Sequence, residues 1–146
     1  MVKTITKHIG EGFSGGELYD VCKWINGMPC SATISVGTET DNVINVAIQL
    51  TDYLGNDLTN AASILAYCAS DSAGLNIITK TFSTETAIGT DGSLGIILAK
   101  TMYQLTSEAD GDIDLDFTDT GTNSCYLALV MPNGKLVVSD AITFTV

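Results

Sequence analysis

The densest grouping of chemically able side chains in this sequence is Glu108-Ala-Asp-Gly-Asp-Ile-Asp-Leu-Asp116, with five carboxylates in nine residues. Hard divalent cations prefer several carboxylate oxygens, which invites comparison with a calcium loop. A twelve-residue loop counted from Asp110 needs Gly at its sixth position and Glu at its twelfth, where this chain has Leu115 and Gly121. The period of two instead sets Asp112, Asp114 and Asp116 on one face of a strand and Ile113, Leu115 and Phe117 on the other. A solvated outer sheet face is the expectation, with weak divalent binding by those three aspartates between copies as the lesser reading.

Other chemistry finds less to work with. His8 is the single histidine and has no partner in sequence to shift its titration. The many Ser, Thr and Asp residues therefore have no histidine base within the body of the chain, and no GxSxG occurs. The glycines at 10, 12, 15 and 16 lack the Lys-Ser/Thr of a phosphate loop. No grouping of aromatics with paired acids suggests a sugar cleft. The chain reads as non-enzymatic, with no cofactor. Cys22, Cys30, Cys68 and Cys125 match neither a CxxC pair nor a zinc ribbon. Free thiols are the expectation, since Cys68 and Cys125 fall inside apolar runs; one or two disulfides are the alternative.

Composition narrows the partners. Six lysines, no arginine and seventeen acids give a net charge of −11 over 146 residues. Such a chain repels phosphate backbones and anionic lipid, so neither nucleic acid nor membrane is an expected partner. With 45% apolar residues it has material for one core, and no apolar run approaches the roughly 20 residues of a membrane span. No apolar stretch follows the basic opening residues as in a secretory signal, so folding in a reducing cytoplasm is expected.

Charge also divides the chain. Residues 1–30 hold three lysines and three acids, whereas residues 31–146 hold three lysines and fourteen acids, the whole of the −11. We read 1–30 as an amino-terminal arm and 31–146 as one domain. In the domain, β-favouring Val, Ile and Thr are frequent, making 42 of the 146 residues of the whole chain. Short runs between turn signals predict strands at 32–36, 43–51, 63–69, 75–82, 94–99, 113–118, 125–131 and 135–146. Residues 60–66 also suit a helix. Asn133-Gly134 suits a two-residue hairpin loop. Seven or eight strands in such a domain predict an all-β, immunoglobulin-like antiparallel sandwich, with another sandwich or a small barrel as alternatives. Asp119, Gly121 and Tyr126 resemble a tyrosine corner, while the inter-sheet disulfide and core tryptophan of antibody domains are missing.

The arm has a different pattern. Residues 2–9 alternate and suit an edge strand pairing with another chain. The glycines at 10–16 make a joint. Residues 17–26 space Leu18, Val21, Cys22 and Ile25 as one face of a short helix, which needs a surface to pack on. Tyr19 and Trp24 are the aromatics suited to an interface, the alternative being a helix folded onto its own domain. Ile5, Ile9, Phe13, Leu18, Tyr19, Trp24 and Ile25 are the candidate binding residues.

Several stretches carry a family resemblance: residues 32–36, 42–50 and 52–57, then Ala87-Ile-Gly-Thr-Asp-Gly92, Ser107-Glu-Ala-Asp-Gly-Asp112, and the run from Cys125 to Ser139 through Met131-Pro-Asn-Gly134. Together they resemble immunoglobulin-like proteins of tailed-phage virions, over most of residues 31–146. The resemblance implies a structural role on the virion: a capsid decoration or cement protein, assembled in a bacterial cytoplasm and placed on the capsid exterior. Its implied partners are the major capsid protein and further copies of itself, a trimer among the options. A host-surface or glycan-binding adhesion module, or a tail or connector component, are the alternatives.

Overall fold

A computed structural model describes residues 27–145, and all regular structure among them is β. Ten strands form: β1 (Ser31–Val36), β2 (Val43–Thr51), β3 (Ser63–Ala69), β4 (Ala87–Ile88), β5 (Ser93–Leu98), β6 (Met102–Thr106), β7 (Asp112–Thr118), β8 (Ser124–Val130), β9 (Leu136–Val138) and β10 (Ile142–Thr143). They make two antiparallel sheets. One has the order β1-β2-β7-β4; the other runs β10-β8-β3-β6-β5, with β9 also on β8. If β1, β2, β3, β4, β7 and β8 stand for strands A to F, with β9 and β10 together as G, this is the ABED and GFC arrangement of an immunoglobulin-like sandwich. The β5–β6 hairpin is an addition beside C.

Alternation builds the core. Ile44, Val46, Ile48 and Leu50 of β2 face inward, and the ladder sets Ile44 against Phe117, Val46 against Leu115 and Ile48 against Ile113. In the second sheet Ile64, Ala66 and Cys68 of β3 lie in register with Leu105, Tyr103 and Leu127 respectively. All of these are buried, so the two inner faces close on each other. Phe82 reaches in from a loop, its ring centroid 5.2 Å from Phe117 and 6.0 Å from Phe144.

Several expectations are corrected. Ten short strands replace seven or eight longer ones. Residues 75–82 form no strand: Ile77 makes a single bridge to Ala69, and Ile78 and Phe82 bury their side chains from a loop. Their apolar character serves plugging, not pairing. Met102–Thr106, which the turn signals did not mark, is a strand whose Tyr103 and Leu105 face the core. The final strand is broken in two. Val138 opposes Ala128 and Ile142 opposes Cys125, so the last segment carries one residue more than β8 between those pairs. At this bulge the Leu127 N–H donates to Ser139 Oγ across 2.9 Å. The loop at Pro132-Asn133-Gly134 has three residues, closed by Met131 N–H on the Lys135 carbonyl at 2.9 Å, with Gly134 at φ 85°. The helical alternative at 60–66 gives way to a strand from Ser63.

Candidate functional site

The residues expected to bind, Ile5, Ile9, Phe13, Leu18, Tyr19, Trp24 and Ile25, lie outside the described residues, as do His8, the 2–9 strand and the 17–26 helix. The described chain starts where that segment meets the body. The Asn60 side-chain amide donates to the Gly27 carbonyl at 3.1 Å, and the Asn133 amide donates to the Cys30 carbonyl at 3.1 Å. Cys30 N–H adds a bond of 2.9 Å to the Thr51 carbonyl, and Lys135 Nζ reaches Ser31 Oγ at 2.8 Å. Pro29 is buried. The last residues of the arm as read from sequence therefore already pack on the body.

Asp112, Asp114 and Asp116 do share the outer face of β7, opposite buried Ile113, Leu115 and Phe117. The ladder sets them beside Gln49, Ala47 and Asn45 of β2. Each is half-buried rather than standing in water. Asn45 Nδ2 donates to Asp116 at 2.9 Å, and the Thr90 hydroxyl donates to Asp114. Thr33, Ser35, Gln49 and Asp91 join Asp112 and Asp114 around a shallow groove of about 290 Å³. Asp91 also borders a neighbouring recess with Glu108 and Asp110. Partial burial, then the charges of Asp110, Asp91, Asp114 and Asp57, push the Asp112 carboxyl above the usual aspartate range. Among the described residues, no three His, Cys, Asp or Glu side chains are grouped so as to hold a metal ion. The arrangement is a field of like charge.

The resemblance to a tyrosine corner holds only for its turn. Asp119 is buried and its Oδ1 accepts from Gly121 N–H at 3.2 Å. Tyr126, however, follows Cys125 by one residue, and Cys125 and Leu127 are the buried, inward residues of β8. Parity therefore turns Tyr126 to the outer face, beside Ala69. Asp119 Oδ2 and Asn123 Nδ2 are buried polar atoms without a hydrogen-bond partner among the described residues.

The thiols of Cys68 and Cys125 meet in the core as free cysteines. Its hydrogen bond with Cys125, together with burial, drives the Cys68 thiol far above its usual range, so Cys68 is not poised as a nucleophile. Tyr103 is equally enclosed, with its hydroxyl 2.8 Å from Thr86 Oγ1 and donating to Glu85 at 3.2 Å. Burial above all pushes its phenol upward.

One surface went unmarked by sequence reasoning. Ile96, Ile97 and Leu98 are 54%, 52% and 55% exposed on β5, a strand at the end of its sheet. The signal was present as Leu94-Gly-Ile-Ile-Leu98, an apolar run that does not alternate. On the outer face of the same sheet, Leu65 is exposed above a shallow groove it shares with Val130 and Pro132. Among the described residues no helix is long and apolar enough to cross a membrane. Against known proteins, the chain matches no family model, and no curated protein matches it.

Proposed function

We propose that this is a non-enzymatic virion structural protein, a capsid decoration protein that binds the outside of an assembled phage head through residues 1–26. The observation that carries this reading is the division of charge: net zero over residues 1–30 and −11 over residues 31–146. A body with one acidic outer face and a closed core suits exposure to solvent, where its charge keeps coated particles apart. The leading segment, tied to that body at Gly27 and Cys30, supplies the aliphatic and aromatic residues that an interface needs. The resemblance of residues 31–146 to tailed-phage immunoglobulin-like proteins points the same way. The role needs no catalytic group: many copies, each burying a short segment across subunit junctions, add stability by repetition. The test is co-sedimentation with purified phage heads. The full chain should pellet with the particles, and the chain lacking residues 2–26 should stay in the supernatant; equal pelleting of both would remove the arm from the role.

A further inference from the structure

We infer that the apolar outer face of the sheet containing β3 is the seat of residues 17–26 of the same chain, which lay Leu18, Val21, Cys22 and Ile25 on the groove beside Leu65. The inference concerns the chain before it meets any particle and stands apart from the head-binding reading.

The two outer faces of the sandwich differ in kind. Among the described residues, β10, β8, β3, β6, β5 and β9 hold no charged residue, whereas β7 alone puts Asp112, Asp114 and Asp116 on the outside of the other sheet. Across the uncharged face one row runs through Leu65, Val130 and Leu136, and the next through Tyr67, Ala128 and Val138. The turn at Gly74 lies on part of it. A Cβ at Gly74 would stand 2.8 Å from Leu136 Cδ2 and 3.1 Å from Val138 Cγ2, and the Tyr67 hydroxyl donates to the Gly74 carbonyl. The rest is open. Leu65 is 48% exposed, and with Ser63, Gln104, Val130 and Pro132 it borders a groove of about 350 Å³.

The path of the chain at Gly27 names the occupant. β3 begins at Ser63, shortly after Asn60, and Pro132 immediately precedes Asn133. Asn60 and Asn133 hold the Gly27 and Cys30 carbonyls, so residues 27–30 cross the end of the sandwich at which the groove opens. Residues 17–26 join Gly27 with no spacer. Their apolar residues fall on one helical face with Asp20 and Lys23 opposite, and a helix this short needs a surface to hold it. At about 1.5 Å per residue it is about 15 Å long, about the width of four strands at about 4.8 Å spacing. Charge disfavours the other outer face, where Glu17 and Asp20 would meet Asp91, Asp112 and Asp114. In helical register Tyr19 and Trp24 flank the seated face, so they and residues 1–16 stay available to a particle.

Hydrogen exchange of the free full-length chain, with no particles present, tests this, so its failure is distinct from failure of the head-binding reading. Amides of residues 18–26 should exchange at least about tenfold more slowly than the same sequence as an isolated peptide, equally at low and high protein concentration. Leu65→Lys changes an exposed position and leaves the core intact; it should remove about tenfold of that protection, while β3 and β8 exchange as before. Ile25→Asp, on the other side of the contact, should do the same. Ala47→Lys, on the outer face of β2, should leave residues 18–26 unaffected. Exchange at the peptide's rate, or protection indifferent to Leu65→Lys, would overturn the inference. So would protection that grows with protein concentration, since a second copy's segment would then fill the groove.

Discussion

Asn60 holds the Gly27 carbonyl through its side-chain amide at 3.1 Å, so the first described residue is tied to the body just ahead of β3. Asn133, in the β8–β9 loop, fixes the Cys30 carbonyl at the same distance. Two amides from separate loops thus fix residues 27–30 on the body.

Removing both anchors should loosen residues 27–30 without opening the core. Asn60→Ala with Asn133→Ala should cost about 1–2 kcal/mol together, because both bonds are exposed and each is worth about 1 kcal/mol or less. Denaturant unfolding gives the stability change, and hydrogen exchange should rise at residues 27–31 while β2 and β7 stay protected.

Tyr103→Phe probes a polar contact inside the sandwich. Thr86 Oγ1 is buried and loses its 2.8 Å partner when the phenol is removed. An orphaned buried hydroxyl costs about 1–3 kcal/mol, so the unfolding free energy should fall by that amount and the unfolding midpoint with it. An unchanged midpoint would mean that Thr86 finds another partner.

Two aspartates should respond to pH in opposite senses. Asp71 accepts from Leu75 N–H, from both nitrogens of Asn76 and from Ala73 N–H, and these bonds hold its carboxyl below the usual range. Its contribution is present above about pH 4 and is lost as pH falls through the lowered value. Asp112 is raised by burial and by its acidic neighbours, so its contribution is present below about pH 4 and is lost as pH rises through the raised value. At neutral pH, Asp112→Asn should therefore raise the thermal midpoint, with a gain that shrinks in high salt and vanishes in acid. Asp71→Asn should lower the midpoint at neutral pH and lose most of that difference in acid.

Glycine substitutions separate backbone conformation from contact. Gly134 and Gly111 both sit at positive φ, 85° and 93°. A Cβ at Gly134 meets nothing within 4 Å, whereas at Gly111 it meets Gln49 Nε2 at 2.8 Å and the Leu50 carbonyl at 3.0 Å. Gly134→Ala should cost about 1 kcal/mol, the conformational term alone. Gly111→Ala should cost more, since the Leu50 carbonyl is part of the β2 backbone and cannot step aside. Comparing the two unfolding midpoints checks this.

Much of the sandwich was legible because alternation and burial coincide where a strand has partners on both sides. Residues 43–51 and 113–118 were read almost to the residue for that reason. Failures came where pattern and pairing separate. Residues 75–82 are apolar yet run as a loop, because Ile78 and Phe82 fill the core without a ladder. Met102–Thr106 hides between weak turn signals, with only Tyr103 and Leu105 to mark its inner face. The acidic face was legible from period two alone, but the amides and hydroxyls around it were not, since Asn45 and Thr90 are distant from Asp116 and Asp114 in sequence. Tyr126 failed by one residue of parity, the smallest error that reverses a side chain's face.

Hydrogen exchange of the full chain on purified phage heads addresses the division of labour most directly. The account predicts that peptides from residues 1–26 gain protection on binding, while those from β7 exchange as in the unbound protein. Protection gained on β7 with none in residues 1–26 would contradict it, because the acidic body and not the leading segment would then hold the particle.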